Sequence, residues 1–157
     1  MLRGLQAEIK QTKPFPSLED EAYLNLLRTT DALVRKEVEV LKAWGLSPSQ
    51  YNALRILRGA CDEGVTCREF SDRLLTKDPD VTRLVDRLET RGLISRGRSE
   101  QDRRVVRTRI TQAGLDLLAE IDGPSQQWTK DQLGHLSKAQ LKELIALLEL
   151  ARSRVSG

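Results

Sequence analysis

A chain of 157 residues is long enough to bury a core without staples, and 39% hydrophobic against 31% charged residues is the balance of a folded, water-facing protein. Aromatic residues make up only 4%, thin for an aromatic-lined carbohydrate or cofactor cleft, and two cysteines exclude a disulfide framework. The net charge is +3, but between Arg91 and Arg109 seven arginines stand against two acids, Glu100 and Asp102, an excess larger than that of the whole chain. A basic stripe of this kind is the footprint of a polyanion binder, although most charge runs are only solvated faces.

Residues 1–17 read as a flexible arm, because Pro14 and Pro16 break any helix there. The arm has no apolar secretory core, and no later stretch nears the roughly 20 apolar residues of a membrane span, so a cytoplasmic protein without a membrane partner is expected. Ser17 caps a long helical pattern over 18–44, with Leu18, Ala22, Leu26, Leu33, Val40 and Leu41 at helical spacing. Ser47-Pro48-Ser49-Gln50 combines an N-cap serine, proline at the first helical position and glutamine at the third. The helix it opens turns Tyr51, Leu54 and Leu57 inward and ends near Gly59–Gly64. Thr66-Cys67-Arg68-Glu69 is a second capping box, opening a short helix to about Leu75 with Phe70 and Leu74 as its apolar pair. Asp78-Pro79 starts another helix, in which Val81, Leu84, Val85 and Leu88 form one stripe and Gly92 is the C-terminal stop.

The period then changes. Leu93–Arg96 and Val105–Ile110 read as two short strands, joined by a polar turn from Gly97 to Arg103. Thr111 caps the next helix, with Leu115, Leu118 and Ile121 on one side, and Gly123-Pro124 is expected to kink or break it. Ser137-Lys138-Ala139-Gln140 is a further capping box, before a seam of Leu141, Leu144, Leu148 and Ala151 widened by Leu147 and Leu150.

Two short helices followed by a basic hairpin form a winged helix-turn-helix. A helix of three turns fits the major groove of B-DNA, where base edges carry a full donor and acceptor code. A hairpin with arginine at its tip reaches the narrower minor groove, whose negative potential attracts guanidinium. The helix that Asp78-Pro79 opens offers Asp80, Thr82, Arg83, Asp86 and Arg87 opposite its apolar stripe. Arg83 can pair with guanine and Thr82 with phosphate or a thymine methyl. For Asp86 and Arg87, pairing within the protein is the equal alternative. Asp78 and Asp80 read first as helix-start residues that favour the dipole, although Asp80 is also able to accept from a cytosine amine. Arg96, Arg98, Asp102, Arg103 and Arg104 are the hairpin's candidates.

These residues carry a resemblance. The run from Leu46 to Tyr51, Val81-Thr82-Arg83-Leu84-Val85-Asp86-Arg87-Leu88-Glu89, Arg91-Gly92-Leu93-Ile94-Ser95-Arg96, Asp102-Arg103-Arg104 and Ile110-Thr111-Gln112-Ala113-Gly114 are similar to the MarR (multiple antibiotic resistance regulator) family, over about residues 20–155. The resemblance implies an α+β, mostly helical fold. Residues 47–110 would be the winged helix-turn-helix, 111–123 a connecting helix, and 18–44 and 124–157 helices that dimerise two subunits, all in one domain spanning 18–157. It implies a regulator, usually a repressor, on a palindromic operator in double-stranded DNA, with affinity lowered by a small aromatic effector. Thr82 and Arg83 fall at its DNA-contacting positions, Arg104 at its minor-groove arginine, Asp102 at an acid bracing the wing through an arginine, and Arg96 at a basic residue of the wing base. Asp78 and Asp80 depart from the neutral residues common there.

Trp44 and Tyr51 lie near the junction where such effectors bind, although they and Tyr23 read first as core. Cys61 and Cys67 could sense oxidants but read first as small buried residues, and no cysteine stands near the start of the long helix where the family's peroxide sensors carry one. His135, the only histidine, reads as a surface or interface residue. Two cysteines and one histidine are too few for a tetrahedral zinc site, and no nucleophile–base pair or phosphate-cradling glycine loop appears, so neither a metal, a cofactor nor an enzyme is expected. The competing class is a helical module that dimerises without touching DNA.

Overall fold

The computed structural model describes residues 4–60, 63–76, 80–99 and 101–154. The chain divides into two compact units, Met1–Ala119 and Glu120–Gly157.

In the first unit, α1 (Leu5–Glu8) precedes the long α2 (Leu18–Leu41), which runs into a 3-10 turn at Lys42–Trp44. The sequence pattern gave no element before Pro14, yet Leu5 is buried and Glu8 pairs with Arg28 of α2 at 3.6 Å. One apolar anchor and one ion pair are enough to dock a single turn, and neither has a periodicity to detect. Helices α3 (Pro48–Gly59), α4 (Cys67–Arg73) and α5 (Val81–Thr90) follow. Their starts are set by side chains that take orphan amides: Ser47 and Gln50 exchange bonds of 2.9 and 3.2 Å, and Thr66 and Glu69 bonds of 2.8 and 3.3 Å. Helix α5 begins two residues later than the Asp78-Pro79 signal suggests, because Asp80 is the N-cap, its Oδ1 accepting the Arg83 N–H at 3.0 Å. Asp78 and Pro79 lie outside the described residues.

Strands β1 (Ile94–Arg98) and β2 (Val106–Ile110) pair antiparallel, with Arg96 opposite Thr108. A third segment was not legible in the sequence. Val65 and Thr108 exchange backbone bonds of 2.9 and 2.8 Å, so the loop before α4 closes the outer edge of β2. Gly64 makes this approach possible: its φ is +68°, and a Cβ there would lie 2.6 Å from Thr108 O. The core of this unit is Leu41, Tyr51, Leu54, Leu57, Phe70 and Leu88 together with Leu46, Val65, Ile94 and Leu118. Tyr23, expected inside, is 60% exposed on α2.

Helix α6 (Gln112–Leu133) runs through Gly123 and Pro124 without ending. Of the kink or break expected there, the break does not occur, although Pro124 brings no amide to bond the carbonyl one turn back. In the second unit the last part of α6 leads through Gly134–Leu136 to α7 (Lys138–Arg152), opened by the Ser137–Gln140 capping box.

Candidate nucleic-acid interface

Helix α5 is strictly two-faced. Leu84, Val85 and Leu88 are buried, whereas Asp80, Thr82, Arg83, Asp86 and Arg87 are all exposed. A helix that turns its polar side to solvent over its whole length is free to enter a groove. Its first turn is ordered by Asp80, which besides capping the helix holds Arg83 Nε at 3.5 Å. Asp80 therefore serves the helix start and aims Arg83. A groove of about 210 Å³ separates this face from the start of α3, with Ser47, Ser49 and Gln50 on one wall and Arg83, Leu84 and Arg87 on the other.

The wing is knotted to the exit of α5. Thr111 Oγ1 donates to Gly92 O at 2.7 Å, its N–H donates to Leu93 O at 3.0 Å, and its hydroxyl oxygen accepts the Gly114 N–H at 3.2 Å. Gly114 packs directly against Leu93 O and Ile110, where no Cβ fits. The Arg-Gly-Leu and Ile-Thr-x-x-Gly motifs are thus the two halves of one junction. Gly92, at φ +70°, lets the chain turn out of the helix into β1.

The arginines of the stripe differ in their partners. Arg96, exposed on β1, bonds Glu89 Oε2 of α5 through Nε at 2.9 Å and through Nη2, and pairs with Asp86 at 2.7 Å. Arg107 donates to Gly64 O at 3.1 Å and lies 3.8 Å from Glu69. Arg98, Arg103 and Arg104 are exposed and ion-pair with no described residue. Asp102 Oδ1 accepts the Arg104 N–H at 2.9 Å and its carbonyl accepts the Val105 N–H at 2.9 Å. The acid shapes the turn through a backbone amide; the expected guanidinium partner is absent among the described residues, because the tight turn places the amide within reach first.

Two carboxylates of this region lie below the usual range. Glu89 is held down by the hydrogen bonds from Arg96, and Glu69 by the Thr66 backbone and hydroxyl of its capping box. Asp86 and Arg96 meet across elements, so the pairing alternative for Asp86 holds in this structure.

Arg91, which the sequence did not single out, joins two helix ends. Its guanidinium donates to Gly45 O at 2.8 Å and Trp44 O at 3.0 Å, just past the end of α2, while its backbone caps α5. The signal was a basic residue at a helix C-terminus, a position that suits bare carbonyls. Trp44 is half-buried, and Tyr51 is buried with the Arg55 guanidinium 5.6 Å above its ring. Cys67 is exposed, contrary to the reading as a buried residue, and Cys61 lies outside the described residues. His135 is exposed. Among the described residues no group of acids, cysteines and histidine has the make-up of a metal site.

Comparison with known proteins gives this geometry its place. The sequence profile of the MarR family matches residues 44–105. The crystal structure of a MarR transcription factor from Planctomyces limnophilus is 46% identical, covers 87% of this chain and 99% of its own, and superposes with a TM-score of 0.66. The transcriptional repressor MprA of Escherichia coli is 29% identical over 80% of this chain and 81% of its own length. A structure of Bordetella bronchiseptica BpsR, described by the regulation of its DNA binding by 6-hydroxynicotinic acid, shares the fold with a TM-score of 0.73 at 21% identity, over 84% of this chain and 98% of its own. The mostly helical winged helix-turn-helix and the sequence agree, and the chain belongs to the MarR family of transcription regulators.

Proposed function

We propose that the protein is a homodimeric repressor that sits on a palindromic operator and is released by a small aromatic effector. Helix α5 enters the major groove, with Arg83 and Thr82 reading base edges, Arg87 on the adjoining backbone and Asp80 holding the helix start. Arg104, flanked by Arg98 and Arg103, reaches the minor groove from a turn built by Asp102, and Arg96 fixes the wing base. The observation that carries this reading is the bare polar face of α5, with Arg96 of the wing reaching Asp86 on that same face.

Dimerisation is supported by apolar residues left at the surface of each unit: Tyr23, Leu26, Leu27, Val34 and Val38 on α2, and Ile145, Leu147 and Leu150 on α7. A second copy covers such faces, and residues 18–44 and 124–157 are the proposed dimerisation segments around a reading head of 47–110, with 111–123 as the connection. The effector proposal rests on BpsR and its hydroxynicotinic acid, with Trp44 and Tyr51 as candidate lining. The relatives are transcription regulators, which favours a regulator over an enzyme. No helix among the described residues is long and apolar enough to cross a membrane, in keeping with a place in the cytoplasm beside the DNA.

The test is selection of duplexes from a random pool by the purified protein. The expected result is an enriched palindrome with half-sites about one helical turn apart, bound with a steep salt dependence. Failure to enrich any sequence at low salt would sink the reading.

A further inference from the structure

The two-stranded wing has two outer edges. That of β2 is closed by Val65. That of β1 carries the Arg96 N–H, and Glu89 Oε1 accepts it at 3.1 Å while Oε2 receives the Arg96 side chain. One carboxylate on the last turn of α5 therefore grips both the backbone and the guanidinium of a residue in the middle of β1. A hairpin of two strands has little rigidity of its own, so its direction relative to α5 depends on such ties. The remaining tie at this point, Arg96 to Asp86, bonds the side chain alone.

The geometry points to Glu89 as the positioning residue that aims the wing at DNA, an inference that rests on α5 and the wing both binding the duplex. The consequence runs against simple electrostatics. Glu89 places a negative charge beside a polyanion, so removing it should strengthen binding to any duplex if charge were its only effect. If Glu89 aims the wing, its removal weakens binding to the operator, because Arg98, Arg103 and Arg104 no longer arrive together.

The experiment compares the parent, Glu89→Ala and Glu89→Gln by fluorescence polarisation over a salt series. The probes are the duplex enriched by the parent protein and a scrambled duplex of the same composition. For Glu89→Ala the expected result is about a tenfold loss on the enriched duplex, no loss on the scrambled one, and a salt slope shallower by about two contacts. Glu89→Gln keeps an oxygen for the Arg96 N–H and should fall between the two. Hydrogen exchange at the Arg96 amide, measured without DNA, should quicken in Glu89→Ala. Equal or tighter binding of the enriched duplex by both variants, with an unchanged salt slope, overturns the assignment. Should Glu89→Ala fail to fold, the glutamine variant decides by the same criteria. A parent protein that does not separate the two duplexes sinks the DNA-binding reading itself, which is a different outcome.

Discussion

At the base of the wing, Arg96 and Arg107 are committed to Glu89, Asp86, Gly64 O and Glu69; at its tip, Arg98, Arg103 and Arg104 stand in solvent, paired with no described residue. The two groups are alternate uses of one side chain. A guanidinium with carboxylates on its own protomer is a rivet, since leaving DNA costs it nothing and approaching DNA would mean giving up good partners. One without such partners keeps its charge for phosphates and the minor groove. Counting arginines between 91 and 109 finds the basic stripe but not this division, and the local excess of charge overstates what DNA meets.

The division can be broken by experiment. The largest expected effect is at the tip and on the exposed face of α5: Arg104→Ala or Arg83→Ala should each lower operator affinity by about 1–3 kcal/mol, roughly fivefold to 150-fold, with an unchanged melting temperature. A variant that binds as tightly as the parent would remove that arginine from the interface. At the base the signs should reverse. Arg107→Ala loses a bond to Gly64 O that closes the loop before α4, so stability should drop by about 1 kcal/mol while operator affinity moves less than threefold. Calorimetry and polarisation on one preparation would settle it, and a large affinity loss without a stability loss would put Arg107 on the DNA side. Smaller still, Arg98→Ala or Arg103→Ala should each reduce the salt slope by about one on specific and scrambled duplexes alike.

The smallest effect concerns acid. Glu69 and Glu89 have folded pKa values below the unfolded reference of about 4.3. Their contribution is complete above that reference and is lost as pH falls through the lowered folded values. The share of the melting temperature that these two supply should thus hold down to about pH 5 and then decline. Glu69→Gln should lower the plateau and soften the decline, and parallel acid limbs for parent and variant would count against the capping box as its source.

Much of the fold was legible because helix starts are chemical events within four residues. Ser17, Ser47, Thr66 and Ser137 all cap as their local sequences imply. The apolar stripe of α5, the hairpin and the exposed reading face were equally local patterns. What escaped was non-local. Val65 meets Thr108 and Arg91 meets Gly45 across more than forty residues, and no spacing rule couples them. Tyr23 and Cys67 were read from residue type alone, which says little about a position on a long helix or at a helix start. Pro124 was read as punctuation, yet α6 continues past it. At the site, residue types named the candidates, but only the partners separated Arg96 from Arg104.

The bonds from Arg91 to the carbonyls of Trp44 and Gly45 fasten the C-cap of α5 to the foot of α2 and leave the opposite end untethered by them. Any tilt of α5 would turn about this joint. Arg83 lies two helical turns away, about 12 Å along the axis, so a tilt of about 16° there would carry it by roughly 3.4 Å, one step of the base-pair ladder. Because Leu84 and Val85 beside it are buried, a shift of that size has to carry the packed neighbours along and is not open to α5 alone.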